Sequence, residues 1–455
     1  METLRLLSTK DNSDEELIAT LARQLEATHE ADAFEGFEKW LLVTLNEVGR
    51  RCVEQRLQRC ANAFGERAIV DEQVYRKHQP GSARYFTLFG AVQIRRSTYR
   101  RVGVHNGETI VPLDGVATLA YNTTPALAFC IAQGVAKAPV RNVEQDLKAA
   151  HRVPPSVATI DRIARVLGGL VDDDVAEIEP QLRAVEALPV GAKAVNIGLD
   201  RTTIPMEERA KKRKCVVKYR MAYVGTFAVS DQHGTTLVAR RYAVPSHQGP
   251  QRIIERIRAD LEHALAQDPK LNVGVVQDGA AELWALMWEM LRSLKLRDYR
   301  QTIDRFHLME KLALCLSLIF PRDERKRAGI LARWNRSLDQ NDRAILHIRK
   351  WIYREQRHVT GRRHEELSKT IGCYFVNPSY FRYASLAPLG LQQGSGVTEG
   401  ACKSLVTIRA KRSGQRWRPE GIRAVMALRS LLNSDRFRPF WTIFIQRFHF
   451  ECAAA

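Results

Sequence analysis

The feature that most constrains the fold is a series of apolar segments between residues 194 and 303, separated by turns and amphipathic stretches. Short apolar runs are typical of buried strands, and longer periodic stretches are typical of helices. Three strands follow one another closely and two more alternate with helices, which predicts a mixed α/β sheet covered by helices on both faces. The predicted strands are 194–200, 215–229, 235–244, 271–277 and 299–303, and the predicted helices are 249–266 and 280–294.

Two of these strands end on a carboxylate. The run AVNIGLD ends on Asp200, and LNVGVVQD ends on Asp278, which Gly279 follows. Ligand sites in sheets flanked by helices tend to lie at the carboxyl ends of the strands. A single aspartate at such a position is more often a turn former or a helix cap than a catalytic residue. The pair therefore becomes a candidate site only if further carboxylates join it.

The stretch GSGVTEGACK supplies a third carboxylate, Glu399. Its glycines permit a close approach of the backbone to a ligand or to another segment. Thr398 is the predicted N-cap of the following helix, which puts Glu399 in the first turn, where the helix dipole favours the ionised form. Alone, Glu399 would be interpreted as the partner of Lys403 in an exposed ion pair that contributes about 0.3–0.5 kcal/mol. Together with Asp200 and Asp278 it forms a candidate site for a hard divalent cation.

Asp304 and His307 lie three residues apart after the last predicted strand and share one face of a predicted helix. Asp304 is interpreted first as the N-cap of that helix. The role of His307, as a buried group or as a contact to DNA, stays open, and a metal-binding pair is the least favoured interpretation. Residues 321–390 then show helical, charged and aromatic patterns without a catalytic signature. We predict that they form an all-helical insertion ahead of Glu399.

The charge of the chain points to a polyanionic partner. Lys and Arg total 70 against 51 Asp and Glu, which gives a net charge of +19 and a pI of 9.8. No apolar run approaches the roughly 20 residues of a membrane span, and the first residues are too polar for a signal peptide. The eight cysteines are scattered without a CxxC pair, which argues against zinc ribbons and disulfide frameworks. We therefore expect a cytoplasmic, nucleoid-associated protein that meets nucleic acid and no membrane.

The N-terminal half is predicted to hold helices in residues 1–80 and a DNA-binding region in residues 81–190. Two helices are expected between residues 14 and 61, and the second carries an apolar stripe at alternating three- and four-residue steps. We expect this stripe to face the core of the chain, and a short coiled coil between protomers is the alternative. The stripe residues are Phe34, Phe37, Leu41, Leu45, Val48 and Cys52.

A β-hairpin is predicted over residues 83–101, because the sequence alternates with period two around Gly90. Val92 and Ile94 would share its buried face. Arg95 and Arg96 lie at its basic end and are candidate phosphate contacts. A charged edge that merely resists aggregation fits the same pattern.

Residues 125–170 are predicted to form helices joined by a short turn, with Ser156 as the cap of the last one. Its inner face is predicted from Val157, Ile160, Ile163 and Leu167. The residues that would point outward are Thr159, Arg162 and Arg165. A helix-turn-helix would place these three against DNA, whereas a plain helical hairpin would leave them in solvent; the overall charge favours DNA. An acidic connecting helix at 171–190 would then lead into a catalytic domain at 191–455.

The segment after Glu399 is dense in Lys and Arg, and Trp417 lies among them. Such a segment is typical of one that binds a phosphate backbone or stacks on an exposed base. The predicted DNA contacts here are Lys403, Arg409, Lys411, Arg412, Arg416 and Trp417.

With these motifs the chain resembles a bacterial insertion-sequence transposase of the DDE type, most closely the ISKra-type family and more distantly the Mutator-like group. The resemblance rests on GLDRTTIP around Asp200, VVQDGAAELW at Asp278, the D-x-x-H that begins at Asp304, and GSGVTEGACK with the RAKRSGQRW and RPFW that follow it. It covers residues 194–441, and the GSGVTEGACK block is the most specific part.

The resemblance implies a ribonuclease H-like catalytic domain in which the strands ending on Asp200 and Asp278 are neighbours. It implies that Asp200, Asp278 and Glu399 hold two Mg²⁺ ions, for which Mn²⁺ substitutes, with Asp304 and His307 as accessory residues. Water would attack first and expose a 3′-hydroxyl at the element end, and that hydroxyl would then attack target DNA. The partners would be double-stranded DNA, at the element ends and the target, bound by a homo-oligomer. The alternatives are a catalytically silent DNA-binding protein of transposase descent and a ribonuclease H-like, structure-selective nuclease.

Overall fold

The computed structural model describes residues 19, 22–23, 34–209, 215–278, 280–296, 298–375, 377–448 and 452–454. The first predicted helix and the basic loop at 210–214 lie outside these residues. The chain divides into two compact units, one drawn from Met1–Ile178 and Phe437–Ala455 and the other from Glu179–Arg436. Each unit contains a five-stranded sheet. In the part of the chain described here, no helix is long and apolar enough to cross a membrane.

The first unit combines an antiparallel sheet with helices before and after it. The sheet has the strand order β10-β1-β2-β3-β4. Its elements are α1 (Phe34–Ala63), β1 (Arg67–Val70), β2 (Gln73–Thr87), β3 (Gly90–Arg101), β4 (Thr109–Ile110), α2 (Pro112–Ala117), α3 (Pro125–Lys137), α4 (Val140–Ala149), the greater part of α5 (Val157–Val185), α15 (Phe437–Phe448) and β10 (Cys452–Ala454). The hairpin of β2 and β3 was predicted, and Gly90 adopts the positive φ of +116° that the turn requires.

Helix α1 packs on this hairpin through its last turns. Leu57 is buried in one cluster with Tyr85 and Ile94 of the hairpin. The prediction that the earlier apolar stripe faces the core is wrong, because Phe34 is 60% exposed and Leu45 is 50% exposed. The hairpin covers only the C-terminal part of α1, and periodicity alone does not show which turns of a long helix find a neighbour. The coiled-coil interpretation of the stripe stays a prediction.

Helices α4 and α5 form the predicted pair with a turn between them. The backbone N–H of Thr159 donates to Ser156 Oγ at 3.3 Å, which confirms the predicted cap. Ile160, Ile163 and Leu167 are buried, which confirms the inner face. The separate connecting helix at 171–190 is wrong, since α5 continues without a break to Val185. The buried stripe of α5 continues through Val171, Val175, Ile178 and Leu182. The helical apolar pattern therefore passes the predicted boundary at residue 170 without interruption and supports one helix.

The second unit follows the predicted element order closely. The bounds are β5 (Ala194–Arg209), β6 (Cys215–Ser230), β7 (Thr236–Pro245), α6 (Gln251–Gln267), β8 (Asn272–Gln277), α7 (Ala281–Ser293), β9 (Arg300–Ile303), α8 (Arg305–Ile319), α9 (Glu324–Gln340), α10 (Ala344–Gln356), α11 (Gly361–Tyr374), α12 (Gly396–Ala401), a π-helical turn (Cys402–Thr407), α13 (Ile408–Ala410) and α14 (Pro419–Asn433). The strand order is β7-β6-β5-β8-β9; β5, β8 and β9 run parallel, and β6 lies antiparallel to both of its neighbours. The predicted mixed α/β sheet is confirmed.

Helices cover both faces of this sheet, as predicted. A side chain at Gly225 would overlap Ile253 of α6, and one at Gly198 would overlap the Thr398 hydroxyl of α12. Gly225 pairs with Leu199, the neighbour of Gly198, and successive strand residues point to opposite faces. Helices α6 and α12 therefore lie on opposite faces of the sheet.

The stretch 321–390 was predicted to be all-helical, and α9, α10 and α11 fill it as far as Tyr374, whereas the described residues after it hold only two short 3₁₀ turns, at Pro378–Phe381 and Ala387–Leu389. The three helices do not form a separate core. Trp334, Ile348 and Leu367 of α9, α10 and α11 belong to the same buried cluster as Val275 of β8 and Leu283 of α7. These helices extend the main core of the second unit. Their packing therefore helps to fix the elements around the ends of β8 and β9.

The division of the chain differs from the predicted boundaries at 80/81 and 190/191. No boundary follows residue 80, because α1 shares a core with the hairpin. The second unit begins at Glu179, within α5, and the chain returns to the first unit at Phe437. In that unit Phe437 stacks on Trp441 with ring centroids 6.0 Å apart, and both rings contact Phe129.

Candidate functional site

Three aspartates lie at the edge of the sheet toward which the parallel strands run: Asp278 and Asp304 directly follow β8 and β9, whereas Asp200 lies within β5. Ile197 of β5 is in register with Val275 of β8, and three residues further on these strands reach Asp200 and Asp278. Gln277 of β8 is in register with Ile303 of β9, and each precedes an aspartate, Asp278 and Asp304. The Asp304 N–H donates to the Gln277 carbonyl at 2.8 Å, which holds these two strand ends together. The predicted adjacency of the strands that lead to Asp200 and Asp278 is confirmed. The predicted end of the first strand at Asp200 is wrong, because β5 pairs with β6 as far as Arg209.

Helix α12 brings Glu399 to this edge. The absence of a side chain at Gly198 lets Thr398 approach β5, and the Thr398 hydroxyl lies 2.7 Å from the hydroxyl of Thr226 on β6. The prediction that Thr398 is the N-cap is wrong: Ser395 precedes the helix, and Thr398 is buried inside its first turn. Its hydroxyl is used for packing on the sheet. The placement of Glu399 in the first turn is confirmed.

Asp304 links the starts of two helices that meet at the site. One of its oxygens accepts a hydrogen bond from the His307 N–H at 2.8 Å, which confirms Asp304 as the N-cap of α8. Its other oxygen accepts from the Ser395 N–H, just ahead of α12. Because Asp304 is 1% exposed, it is better suited to holding these two helix starts than to meeting a substrate directly.

His307 stands beside Glu399. Its Nε2 lies 3.7 Å from Glu399 Oε1, and its Nδ1 lies 3.2 Å from Glu310 Oε2. Burial acts to lower the pKa of the imidazole, but the hydrogen bond to Glu310 and the charges of Asp304 and Glu399 outweigh it, so the pKa is raised. Ser395 Oγ donates to the same Glu399 oxygen at 3.0 Å. One oxygen each of Asp304 and Glu399 and one imidazole nitrogen of His307 lie within 4.8 Å of one another.

Asp200 is held from two sides. One carboxylate oxygen accepts from the Arg201 N–H at 2.6 Å, and the other accepts from the Cys402 thiol at 3.2 Å. Burial and the charge of Asp200 raise the pKa of the Cys402 thiol. Cys402 opens the π-helical turn that follows α12, and π-helical turns are frequent at functional sites. The Arg201 side chain forms an ion pair with Glu282, so its guanidinium does not neutralise Asp200.

The basic side chain beside the carboxylates of this site is the imidazole of His307, next to Glu399. Among the residues that the structure describes, no Lys or Arg forms an ion pair with Asp200, Asp278, Asp304 or Glu399. Asp278 is exposed, and its only hydrogen bond within that set is accepted from the Ala280 N–H at 3.0 Å. Gathered carboxylates repel one another unless a cation joins them. Oxygen donors of this kind fit a hard divalent cation such as Mg²⁺.

Tyr374 is a site residue that sequence reasoning missed. Its hydroxyl is buried and has no hydrogen-bond partner within the described part of the chain. Burial raises the pKa of this phenol, and the nearby charges of Asp304 and Asp278 raise it further, so the ring lies close to the acids. Tyr374 ends α11, in the region where the sequence shows no catalytic motif. A single tyrosine outside any motif does not indicate, from the sequence alone, that it lies near the acids.

The DNA contacts predicted in the first unit have different surroundings. Arg162 and Arg95 are exposed, and Thr159 is half-buried beside the Ser156 cap. Arg165 forms an ion pair with Asp161 one turn earlier. Arg96 is half-buried, and its positive charge favours the ionised form of Asp114. Arg162 and Arg95 are therefore the side chains of this set that are open to a partner.

The basic segment after Glu399 is partly built into the fold. Lys403 and Arg416 are exposed, as are Lys411 and Arg412, which bond Thr202 Oγ1 at 2.6 Å and the Ile408 carbonyl at 3.0 Å. Arg409 is 3% exposed, and its guanidinium lies 4.9 Å from the centre of the Trp417 ring. The Trp417 indole N–H donates to the Ala410 carbonyl at 3.0 Å. Arg409 and Trp417 thus stabilise this segment, and the exposed members present its charge.

Comparison of the chain with protein-family models finds no matching family, and comparison with curated proteins finds no matching sequence.

Proposed function

We propose that the protein is a DDE-type DNA transposase of the ISKra type whose second unit is a ribonuclease H-like catalytic domain. The observation that supports this most is a set of carboxylates at one sheet edge that have no Lys or Arg partner among the described residues: Asp200 and Asp278 on neighbouring parallel strands, and Glu399 on the helix that packs over them. Helices α9 to α11 are then the helical insertion between the second and third acids. The reaction is cleavage at the ends of the insertion sequence and joining of the 3′-hydroxyl to target DNA.

In this proposal Asp200, Asp278 and Glu399 hold two Mg²⁺ ions. Bound divalent cations would supply activation of the attacking oxygen and stabilisation of the leaving oxygen. Ser395 and His307 orient the Glu399 carboxylate, since both contact its Oε1 atom. Asp304 positions the two helix starts that carry these groups.

The proposed partner is double-stranded DNA, bound by a homo-oligomer. The net charge of +19 favours a polyanion. Exposed Lys403, Lys411, Arg412 and Arg416 follow Glu399 in the chain, so positive charge accumulates beside a site whose own carboxylates are negative. Cations at the carboxylates and basic side chains around them would together accommodate a phosphate backbone.

The test compares wild-type protein with Glu399→Gln on a labelled duplex that carries the element's ends, with and without Mg²⁺, and scores nicking and joining to a plasmid. Glu289→Gln, which changes an exposed acid on α7, is the matched control. We expect the wild type and the control to cut and join only with the metal. The Glu399→Gln variant should bind the duplex and cut at least about 10³-fold more slowly, because loss of a ligand to the metals removes several kcal/mol of transition-state stabilisation.

Other outcomes would identify the alternatives. Cleavage without joining would favour the structure-selective nuclease. Equal DNA binding by all three proteins, with no cleavage by any of them under Mg²⁺ or Mn²⁺, would favour the catalytically silent DNA-binding protein. Cleavage by Glu399→Gln at the wild-type rate would overturn the assignment of Glu399.

A further inference from the structure

The first strand of the catalytic sheet extends far past the acids. Strands β8 and β9 end at Gln277 and Ile303, one residue before their aspartates, whereas β5 continues for nine residues beyond Asp200, to Arg209. Strand β6 pairs with it along this whole length, from Cys215 onwards. At about 3.3 Å per residue the extension reaches roughly 30 Å. We call it the β-arm: residues 202–209 of β5 with residues 215–221 of β6.

The β-arm has an open strand edge. Residues 215–221 are all exposed, and β7 begins to pair with β6 only at Ala222. Within the described residues no strand pairs with the outer edge of 215–221. The opposite edge is closed partway along the arm, where the Trp417 backbone bonds Pro205 and Glu207. An exposed strand of this length is unusual, because its unpaired backbone groups and apolar side chains invite a partner.

The two faces of the exposed strand differ. Tyr219, which is 70% exposed, shares one face with Val217 and Met221, so that face is aromatic and apolar. Lys218 and Arg220 occupy the other face, and both pair with Glu208 across the ribbon. These pairs are exposed and therefore weak, so a polyanion can compete for both cations.

The positive charge of the sequence around the exposed strand indicates the class of partner. Residues 209–220, RAKKRKCVVKYR, contain seven basic residues and no acid. Pairing of this edge with the same edge of a second copy would bring Lys218 and Arg220 of both copies together and would be opposed by their repulsion. A nucleic-acid duplex supplies the opposite charge, and two-stranded ribbons fit its grooves.

We propose that the β-arm binds the DNA duplex next to the phosphate that is cut, with Tyr219 against the groove and Lys218 and Arg220 at the backbone. This inference rests on the proposed function, since it takes DNA as the substrate of the adjacent acids. The position of the β-arm supports it. The arm leaves the sheet at the edge where Asp200, Asp278 and Asp304 lie, so a duplex that reaches the acids would continue beside it.

The first experiment places a photo-cross-linking benzoylphenylalanine at position 219 of the full chain and irradiates it with a mixed-sequence duplex in Mg²⁺-free buffer. We expect a covalent adduct with DNA. A second measurement follows duplex affinity against salt for Lys218→Ala combined with Arg220→Ala. Removal of two phosphate contacts should lower the slope of log affinity against log salt by about 1.8. The matched control is Arg258→Ala combined with Arg292→Ala, two exposed arginines on α6 and α7, and it should keep the wild-type slope.

The results separate this inference from the proposed function, because binding is measured without catalysis. No adduct and an unchanged slope, in a protein that still cuts DNA in a Glu399-dependent way, would overturn the β-arm assignment and leave the transposase proposal intact. An adduct with a second protein chain in place of DNA would make the open edge a protomer interface and would also overturn it. Failure of the wild type to bind any duplex would remove both proposals.

Discussion

Two groups of acidic side chains in the second unit differ in their contacts with arginine. The first is a buried arginine cluster, in which Glu179, Glu186 and Asp260 surround Arg256 and Arg436. Arg256 Nε lies 3.1 Å from both Glu179 oxygens, and Arg436 donates to Glu186 at 2.8 Å and to Asp260 at 3.2 Å. The second is the site at the strand ends, where comparable carboxylates have no Lys or Arg partner among the described residues. Acids can therefore be gathered together in this fold either with arginine partners, as in the first group, or without them, as in the second.

The arginine cluster has the properties of a structural feature. Glu179 and Asp260 are buried and Glu186 is half-buried, but each contacts a guanidinium, so desolvation is offset by local attraction and hydrogen bonds. The acids at the strand ends accept hydrogen bonds but have no guanidinium partner among the described residues, and Glu399 is 47% exposed while Asp278 is open to solvent. In the proposed metal site, bound cations would supply the positive charge that these acids lack. The comparison therefore predicts that substitutions in the two groups affect different measurements.

The largest effect is expected from Asp278→Asn, and it should appear in activity. Loss of one carboxylate should slow DNA cleavage by about 10³-fold or more, because several kcal/mol of transition-state stabilisation depend on the metals. The free energy of unfolding without metal should stay within about 0.5 kcal/mol of the wild type, since the residue is exposed. Mg²⁺ should raise the melting temperature of the wild type and not that of the variant. A large loss of stability in metal-free buffer would instead make Asp278 a structural turn residue.

The next largest effect is expected from Glu179→Gln, and it should appear in stability. Removing one partner of a buried pair leaves the arginines uncompensated, so we expect the free energy of unfolding to fall by about 3–5 kcal/mol. Urea denaturation measures this. Glu262→Gln, which removes an exposed partner of Arg258 at 3.0 Å, is the control and should cost at most about 1 kcal/mol. A loss below 1 kcal/mol for Glu179→Gln would show that the two groups of acids do not differ in the way we describe.

The arginine cluster also predicts how stability changes with pH. Burial acts to raise the pKa of Glu179, but Arg256, Arg436 and Arg183 outweigh it and hold the pKa below the ordinary value of 4.5. The pKa of Glu186 is lowered in the same way, chiefly through Arg436. A lowered folded-state pKa gives stability that is present above pH 4.5 and is lost as the pH falls through the folded pKa.

Unfolding of the wild type and Glu179→Gln between pH 7 and pH 3 tests this window. The stability difference between them should be constant near neutral pH and should shrink below pH 4.5, because protonation removes the charge that the substitution removes permanently. A difference that widens toward low pH would contradict the sign of this prediction.

The sequence predicted the strands that carry the site better than it predicted the side-chain contacts within the site. The strands that lead to Asp200 and Asp278 were predictable because apolar runs bounded by turns specify buried strands. The extension of β5 to Arg209 was missed, since residues 201–209 carry charges and a proline that are not typical of a central strand. The contact between Asp200 and Cys402 joins residues far apart in the chain, and no local pattern encodes it. Thr398 was predicted to be a cap because caps are recognised from local sequence. Its actual partner, Thr226, lies on strand β6, which is far from Thr398 in the chain.

The smallest effect concerns Cys402, whose thiol donates to Asp200 at 3.2 Å and so connects the first acid to the helix that carries Glu399. If this bond orients the carboxylate for a cation, Cys402→Ala should raise the Mg²⁺ concentration needed for half-maximal cleavage by about tenfold, which is the 1.4 kcal/mol typical of a single hydrogen bond. Cys402→Ser keeps a donor and should recover most of the loss. High Mg²⁺ should restore the maximal rate of Cys402→Ala. A serine variant as impaired as the alanine variant, or a loss that Mg²⁺ does not reverse, would mean that the thiol only fills space beneath the π-helical turn.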